Sequence, residues 1–274
     1  MFKITKKLRL AENIIQIDIQ APDIAKKRKP GQFLLIIPSE NSERVPFTIM
    51  DSDIEKGTVS VIIQVVGTAT HRIDKMNEGE YLYGVVGPLG KPTEIKKTGT
   101  VVCIGGGVGI AVVYPIAKAM KEVGNKVISI IGGRNKSLIL LEKEMTEISD
   151  EIYFTTDDGS YGIKGFVTGK LKELMDAIKI DEVAAIGPAI MMKNIAELTK
   201  QKGIKTIVSL NSIMIDGTGM CGSCRVTVGG AAKFVCVDGP EFDGHLVDWD
   251  NLMKRQRAFV KHEKCSLDRY ISEN

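Results

Sequence analysis

Apolar residues follow one pattern in residues 1–98 and a different one after them. In residues 1–98 they form short runs rich in β-branched side chains, separated by glycine, proline, asparagine or aspartate. The runs occupy residues 13–20, 31–38, 44–51, 58–67 and 81–88. Runs of this length between turn-forming residues are typical of β-strands. Their spacing predicts a small antiparallel β-barrel.

From Gly99 onward, short apolar runs alternate with longer amphipathic stretches. The runs predict strands at residues 100–106, 126–133, 151–156 and 182–188. The stretches between and after them predict helices at residues 110–124, 137–148, 165–177 and 191–203. An alternation of strands and helices predicts a doubly wound parallel sheet with helices on both faces. We therefore expect an α/β domain over residues 99–208.

The remaining residues, 209–274, form a third region that is glycine-rich around three cysteines. Residues 248–264 are highly charged and predict one helix. A chain of 274 residues is long enough for two compact domains and an appendage. We expect this appendage to be a small subdomain.

Composition and charge exclude several classes of partner. Apolar residues make up 43% of the chain, and 37 basic residues oppose 34 acidic ones, a net charge of +3. This balance predicts neither a nucleic-acid surface nor a membrane surface. The sequence shows no signal peptide and no apolar run long enough to span a membrane. We expect a cytoplasmic protein in which the three clustered cysteines of the five bind a metal and none forms a disulfide, while Cys103 and Cys265 are structural or incidental.

The cysteines of the third region have the spacing of a metal loop. Asp216, Cys221, Cys224 and Cys236 form the pattern D-x4-C-x2-C-x11-C. With cysteine in place of the aspartate, this pattern is the beginning of a plant-type [2Fe–2S] loop. The glycines within it allow backbone N–H groups to approach sulfur. Two alternatives remain open here, namely a zinc site with three cysteines and one aspartate, and a redox pair of thiols.

A second pattern with chemical meaning lies at the start of the α/β domain. Glycines 105, 106, 107 and 109 follow a strand and precede a helix, where backbone N–H groups and the helix dipole favour a pyrophosphate. The third glycine of the dinucleotide fingerprint G-x-G-x-x-G would fall at Ile110, so that fingerprint is absent. A tight strand-to-helix connection remains the alternative. No acidic residue follows the second strand, so NAD and NADP are not distinguished.

The order of these parts resembles the ferredoxin reductase superfamily, in particular its branch with a C-terminal [2Fe–2S] loop. The resemblance rests on ERVPFTI (43–49), GPLGKP (87–92), TDDGSYGIKG (156–165), AIGPAIMMK (185–193) and the cysteine loop. This branch includes the electron-transfer subunit of dihydroorotate dehydrogenase. The chain is more similar still to the small subunits of NADH-dependent reduced ferredoxin:NADP oxidoreductases and to sulfide dehydrogenase subunits. Asp216 stands where the dihydroorotate-type proteins have cysteine.

The resemblance implies that FAD binds to the barrel, residues 1–98. The residues that it assigns to FAD are Arg44, Pro46, Phe47, Thr48, Gln64, Val65, Gly67 and Thr70. In the superfamily motif R-x-[YF]-[ST], an arginine contacts phosphate and an aromatic side chain packs on the flavin. Here Arg44 stands one residue earlier than that arginine, and Val45 occupies its place. For residues 64–70 the alternative is a simple helix cap.

The resemblance also implies that NAD(H) binds to the α/β domain. It assigns Gly107, Val108 and Gly109 to the pyrophosphate, Arg134 to the adenosine, and Asp157, Gly187 and Pro188 to the nicotinamide. Hydride passes directly between nicotinamide and flavin, so we expect no catalytic side chain.

The function implied by the resemblance is electron transfer. The chain would pass electrons between NAD(H) and the [2Fe–2S] cluster through FAD. Its partner would be a larger subunit with a second flavin and [4Fe–4S] clusters, which bifurcates electrons and through which ferredoxin is reached. Two alternatives are an electron-transfer subunit of another complex, such as dihydroorotate dehydrogenase, a hydrogenase or a sulfur reductase, and a non-enzymatic zinc-bearing nucleotide sensor.

Overall fold

Residues 1–98 fold as two antiparallel sheets around a shared core, in a computed structural model that describes residues 1–273. The strands are β1 (Phe2–Ala11), β2 (Ile14–Gln20), β3 (Phe33–Ile37), β4 (Val45–Thr48), β5 (Asp51–Asp53), β6 (Thr58–Gln64), β7 (Tyr81–Leu82) and β8 (Gly84–Leu89). One sheet has the order β5-β6-β2-β1-β7, and the other has the order β4-β3-β8. Two short helices, α1 (Pro22–Lys27) and α2 (Thr68–Lys75), flank them.

The core of this region comes from alternate residues of its strands. Ile15, Ile17 and Ile19 of β2 are fully buried and pack with Leu34 and Ile36 of β3. Alternate side chains of a strand point to one face, so β2 presents a continuous apolar face to the second sheet. The predicted antiparallel FAD-binding fold is confirmed. Strand β1 escaped prediction because most of its side chains are polar and face solvent.

Residues 99–208 form the predicted parallel sheet with helices on both faces. The elements are β9 (Thr100–Gly106), α3 (Ile110–Glu122), β10 (Lys126–Gly133), α4 (Glu142–Ile148), β11 (Glu151–Thr156), β12 (Ile163–Lys164), α5 (Val167–Ala177), β13 (Glu182–Ile186), α6 (Ala189–Lys200) and β14 (Lys205–Ser209). From one edge the order is β12-β11-β10-β9-β13-β14. The chain therefore reverses direction across the sheet between β9 and β13, and ligands bind at such a switch point.

Helix α4 is shorter than the helix predicted for residues 137–148. Residues Lys136–Leu138 form a short 3₁₀ helix, and α4 begins only at Glu142. Between them Leu141 has φ of 52°, in the left-handed region. A right-handed α-helix cannot continue through such a residue, so the predicted start was wrong.

The third region adds a strand to the parallel sheet. Its elements are β15 (Arg225–Val228), β16 (Ala231–Phe234), α7 (Val235–Asp238), β17 (Glu241–Asp243), α8 (Trp249–Gln256) and α9 (Val260–Glu273). Strand β17 pairs antiparallel with β14. The boundaries 1–98, 99–208 and 209–274 stay a prediction.

The single helix predicted for residues 248–264 was wrong, because the structure has two helices there. Helix α8 buries Trp249 and Leu252 in the core beside the parallel sheet. Helix α9 buries no side chain and packs on α2 of the first region. One straight helix could not make both contacts, so the chain breaks between Gln256 and Val260.

Apolar contacts join the regions to one another. Ile14, Met50 and Ile62 of the first region belong to the same buried cluster as Ile110 and Val113 of α3. In residues 1–273, no helix combines the length and the apolar character needed to cross a bilayer.

Candidate functional site

The loop of residues 211–224, which we call the cysteine loop, lies against the sheet β4-β3-β8. Its Gly217 has φ of 79°, and a Cβ atom there would lie 2.6 Å from Leu35 Cδ1 and 3.3 Å from Leu89 Cδ1. Only glycine combines this backbone conformation with so close an approach. The cysteine loop is therefore seated directly on β3 and β8.

Two of the predicted metal ligands are buried side by side. Cys224 ends the cysteine loop and Cys236 lies on α7; each is 2% exposed, and their sulfur atoms are 3.2 Å apart. The backbone N–H of Cys236 donates to the Cys224 sulfur at 3.5 Å. Burial, together with the neighbouring Cys224, raises the pKa of the Cys236 thiol to about 12. A bound metal ion opposes this effect because it binds thiolates.

The other two predicted ligands lie at the outer end of the cysteine loop. The Asp216 carboxylate accepts hydrogen bonds from the Thr218 hydroxyl at 2.7 Å, the Thr218 N–H at 3.0 Å and the Met220 N–H at 3.1 Å. These bonds lower the pKa of Asp216, and the charge of Arg44 lowers it further. Cys221 is exposed, and the nearby Ser223 hydroxyl, 3.1 Å from its sulfur, lowers the pKa of its thiol.

The chemistry of the four predicted ligands fits an iron–sulfur cluster, although their side chains do not all lie within reach of one metal site. Over residues 1–273, no three His, Cys, Asp or Glu side chains stand close enough to hold a metal ion. The structure brings together Cys224 with Cys236, and its loop carries Asp216 and Cys221. The Cys236 N–H donates to the Cys224 sulfur at 3.5 Å, and the Gly219 backbone lowers the pKa of the Cys236 thiol against the larger effect of burial. Sulfur ligands with N–H donors to sulfur are the environment that iron–sulfur clusters use.

The residues assigned to the flavin ring lie on β4, beside the cysteine loop. Pro46, Phe47 and Thr48 are half-buried and pair with β3. Arg44 is exposed just before β4 and is close enough to Asp216 to act on its charge. The flavin strand β4 and the cysteine loop are therefore joined by one sheet, in which the loop rests on β3 and β8 and β4 forms the other edge.

The residues assigned to the flavin pyrophosphate surround the N-terminus of α2. Gln64 is exposed at the end of β6, and Val65 after it is buried. Gly67 caps α2, and a Cβ atom there would meet nothing within 4 Å, so its surroundings are open. The Thr70 hydroxyl accepts hydrogen bonds from the N–H groups of Val66 at 3.0 Å and Gly67 at 2.9 Å. Thr70 therefore shapes the helix cap.

The glycine turns after β9 and β13 meet at the switch point of the parallel sheet. A Cβ atom on Gly109 would lie 2.4 Å from the Ile186 carbonyl oxygen, and one on Gly187 would lie 3.2 Å from Gly106 Cα. Gly107 has φ of 56°, and nothing lies within 4 Å of where its Cβ atom would be. Val108 is half-buried beside it, and Pro188 precedes α6. These turns form an open edge that suits a dinucleotide.

Arg134 and Asp157 lie together, away from those turns. They follow β10 and β11, both are exposed, and the Asp157 N–H donates to the Gly133 carbonyl at 3.1 Å. The structure does not bring Asp157 together with Gly187 and Pro188, because β10 and β9 separate its strand from β13, and Asp157 lies on the side of Arg134. Its assignment to the nicotinamide stays a prediction.

Two arginines beside the cysteine loop were missed from the sequence. Arg225 donates to the Gly222 carbonyl at 3.2 Å, and Arg255 of α8 donates to the Ser223 carbonyl at 2.9 Å. The position of Arg225 next to Cys224 was a possible signal. Arg255 lies 31 residues beyond Cys224, and no local pattern marks it.

Family models match both predicted cofactor regions. The model of an FAD-binding domain matches residues 1–105, and the model of the iron–sulfur cluster binding domain of dihydroorotate dehydrogenase B matches residues 211–248. The second match supports iron at the cysteine loop and speaks against the zinc alternative.

Curated relatives match nearly the whole chain. A dihydroorotate dehydrogenase B (NAD(+)) electron transfer subunit homolog from Thermotoga maritima is 46% identical over 269 residues, which cover 98% of this chain and 95% of the relative. An uncharacterised protein of the adh 3′ region of Clostridium beijerinckii is 50% identical, with 98% of this chain and 94% of that protein covered.

Solved structures match the same fold. A chain in the structure of the NADH-dependent reduced ferredoxin-NADP oxidoreductase, studied for flavin-based electron bifurcation, superposes with a TM-score of 0.94. It is 46% identical, with 99% of this chain and 98% of that chain covered. A second solved structure, a cytochrome P450 reductase from Amycolatopsis, is 20% identical and superposes with a TM-score of 0.62. The match covers 73% of this chain and 65% of that chain, and it shows a shared fold alone.

The fold and the site define a ferredoxin reductase-like oxidoreductase subunit that transfers electrons by means of FAD and an iron–sulfur cluster. Within that class, the chain belongs to the family of dihydroorotate dehydrogenase B electron transfer subunits and their homologues. The predicted family is confirmed, and so is the predicted function as an electron transfer subunit with FAD and an iron–sulfur cluster.

Proposed function

We propose that this chain is an NADH-linked electron conduit that holds FAD and a [2Fe–2S] cluster. The observation that carries the proposal is the seating of the cysteine loop on the sheet that contains Phe47. FAD would lie along β4 and the N-terminus of α2, and the nicotinamide nucleotide along the glycine turns of β9 and β13. The cluster would be held by Asp216, Cys221, Cys224 and Cys236.

The bound groups supply hydride exchange between nicotinamide and flavin, and one-electron exchange between flavin and cluster. The residues of the chain bind and orient them. Phe47, half-buried on β4 and packed on the core of the first region, would offer its exposed part as an apolar surface for a flat ring and would exclude water there. The first-turn N–H groups of α2 face an open surface at Gly67 that suits a phosphate. Gly107 leaves the backbone after β9 open to a dinucleotide.

The partner that we propose is a larger subunit with its own flavin and [4Fe–4S] clusters, which connects the chain to ferredoxin. The support is the 46% identity to a chain of the NADH-dependent reduced ferredoxin-NADP oxidoreductase. The cysteine loop exposes two large apolar side chains near Cys221 in the sequence, since Ile215 is 60% and Met220 87% exposed. Exposed apolar groups next to a redox centre favour a protein partner there. A cytoplasmic location is part of the proposal, since metal-binding thiols suit a reducing compartment.

A second candidate partner is a dihydroorotate dehydrogenase, supported by the name of the Thermotoga maritima relative. Co-purification of a tagged chain from its own cells distinguishes the two. A flavoprotein with [4Fe–4S] clusters supports the first candidate, and a dihydroorotate-oxidising subunit supports the second.

The cofactor proposal is tested by composition and nucleotide choice. Chain purified without oxygen is expected to contain one FAD, two irons and two labile sulfides, the content of a [2Fe–2S] flavoprotein. NADH should reduce the flavin much faster than NADPH does. Stoichiometric zinc without iron contradicts the cluster, and a preference for NADPH contradicts the nucleotide.

A further inference from the structure

Helix α8 contacts the backbone of the cysteine loop through two side chains of its last turn. The helix is fixed in the core by Leu252, 1% exposed, and by Trp249, whose indole N–H donates to the Gly244 carbonyl at 3.0 Å. From its last turn, Arg255 reaches the Ser223 carbonyl at 2.9 Å. The next residue, Gln256, donates to the Asn211 carbonyl at the start of the same loop. A rigid element therefore holds the cysteine loop at two points.

Two arginines donate hydrogen bonds to backbone carbonyls in the segment between two predicted ligands. Arg225 donates to the Gly222 carbonyl at 3.2 Å and Arg255 donates to the Ser223 carbonyl, so two of the three peptide groups between Cys221 and Cys224 have a charged donor. A trans peptide points its N–H away from its C=O. Holding the Ser223 carbonyl toward α8 therefore turns the Cys224 N–H to the opposite side of the loop.

The reduction potential of an iron–sulfur cluster depends on N–H groups near its sulfur atoms and on the net charge around it. Reduction adds negative charge to the cluster. A guanidinium fixed beside the loop stabilises that charge, and the half-buried position of Arg255 limits its screening by water. Both effects raise the reduction potential.

We propose that Arg255 is a positioning residue for the iron–sulfur cluster, holding the Cys221–Cys224 segment against α8 and raising the reduction potential of the cluster. The inference rests on the proposed role of these cysteines as iron ligands. Arg255 is not one of the proposed ligands. It belongs to α8 and contacts the backbone of the cysteine loop at the Ser223 carbonyl.

The test compares Arg255→Gln with Lys254→Gln in the purified FAD-containing chain. Lys254 is exposed on the same helix, so its replacement removes the same charge without touching the loop. The midpoint potential of the cluster, followed by EPR, and the rate of iron loss to a chelator are measured. We expect Arg255→Gln to lower the potential and to lose iron several-fold faster. Lys254→Gln should match the unchanged chain in both.

A second variant, Arg255→Lys, keeps the charge but loses the planar hold on the carbonyl. We expect the cluster potential and the iron-loss rate of Arg255→Lys to lie between those of Arg255→Gln and Lys254→Gln. Flavin content reports whether each variant is folded. If Arg255→Gln retains no iron, the potential and the iron-loss rate of Arg255→Lys test the inference. A potential equal to that of Lys254→Gln in the variants that hold iron overturns the inference. If the chain without any substitution contains no iron, the proposed function is overturned, and this result is known before any variant is compared.

Discussion

The four proposed ligands occupy two different environments. Cys224 and Cys236 are buried against the core, whereas Cys221 is exposed and Asp216 is half-buried at the outer end of the loop. The buried pair is held by packing and by the Cys236 N–H. The outer pair faces the surface that we assign to the partner. The two pairs should therefore respond differently to substitution.

We expect Cys224→Ser to abolish or severely reduce iron binding, because it removes a buried sulfur ligand. Asp216→Cys should retain a cluster with a changed reduction potential, because thiolate is a good iron ligand and the residue replaced is at the loop surface. Iron and sulfide analysis with EPR measures both effects. Unchanged iron content, spectra and potential in both variants would contradict the ligand assignment.

Glu241 gives the stability of the chain a predictable pH dependence. It lies on β17, where burial raises its pKa from 4.5 to about 7. The Thr93 hydroxyl donates to it at 2.6 Å, while Glu182, which pairs with Lys205 at 3.0 Å, opposes its charge. The folded chain therefore binds a proton more tightly than the unfolded chain.

The stabilising contribution of Glu241 is thus complete below pH 4.5 and is lost as the pH rises through about 7. The loss amounts to at most about 3 kcal/mol in the free energy of unfolding, at 1.36 kcal/mol per pKa unit. We expect Glu241→Gln to remove this loss, so that the variant is the more stable protein at about pH 8. Urea unfolding across this range measures the effect. Parallel pH profiles for the two proteins would disprove it.

At the level of elements, the turn between β9 and α3 depends on close approach to β13. The Ile186 carbonyl leaves no room for a side chain at Gly109, whereas Gly169 on the exposed face of α5 has nothing within 4 Å of a Cβ atom. Gly109 directly precedes α3 and Gly169 lies within α5, but packing requires a glycine only at position 109.

We expect Gly109→Ala to destabilise the chain by about 1–3 kcal/mol, because the added methyl forces the two turns apart. It should also weaken nucleotide binding. Gly169→Ala, the matched control, should stabilise by about 0.5 kcal/mol, since alanine favours a helix. Denaturant unfolding and NADH titration measure both. Equal stability of the two variants would show that the turns do not need to touch.

The sequence predicted the alternating elements of the α/β domain because their apolar runs are long and regular. It failed where a long-range contact decides the outcome. The break between α8 and α9 follows from two separate packing partners, and β17 follows from an unpaired edge at β14. The cysteine spacing revealed the metal loop locally. The place of Asp157 beside Arg134 and the reach of Arg255 depend on the assembled fold, so no local pattern could reveal them.

At the scale of the whole molecule, packing contacts join the three regions that carry the proposed cofactor sites. The glycine turns at the switch point carry the residues that we propose for the nucleotide, β4 carries those that we propose for the flavin, and the cysteine loop rests on β3 and β8. The apolar cluster that joins α3 to the first region fixes their relation. Cys221 is exposed at the outer end of the cysteine loop, and we propose that the partner accepts electrons there.

The central claim is that flavin and cluster exchange electrons within this one chain. Anaerobic titration of the purified chain with NADH, followed by visible absorption and EPR, tests it most directly. We predict that NADH bleaches the flavin and that the EPR signal of a reduced [2Fe–2S] cluster appears without any partner. A protein that holds iron but shows a fully reduced flavin and no cluster signal, although dithionite produces that signal, would contradict the claim.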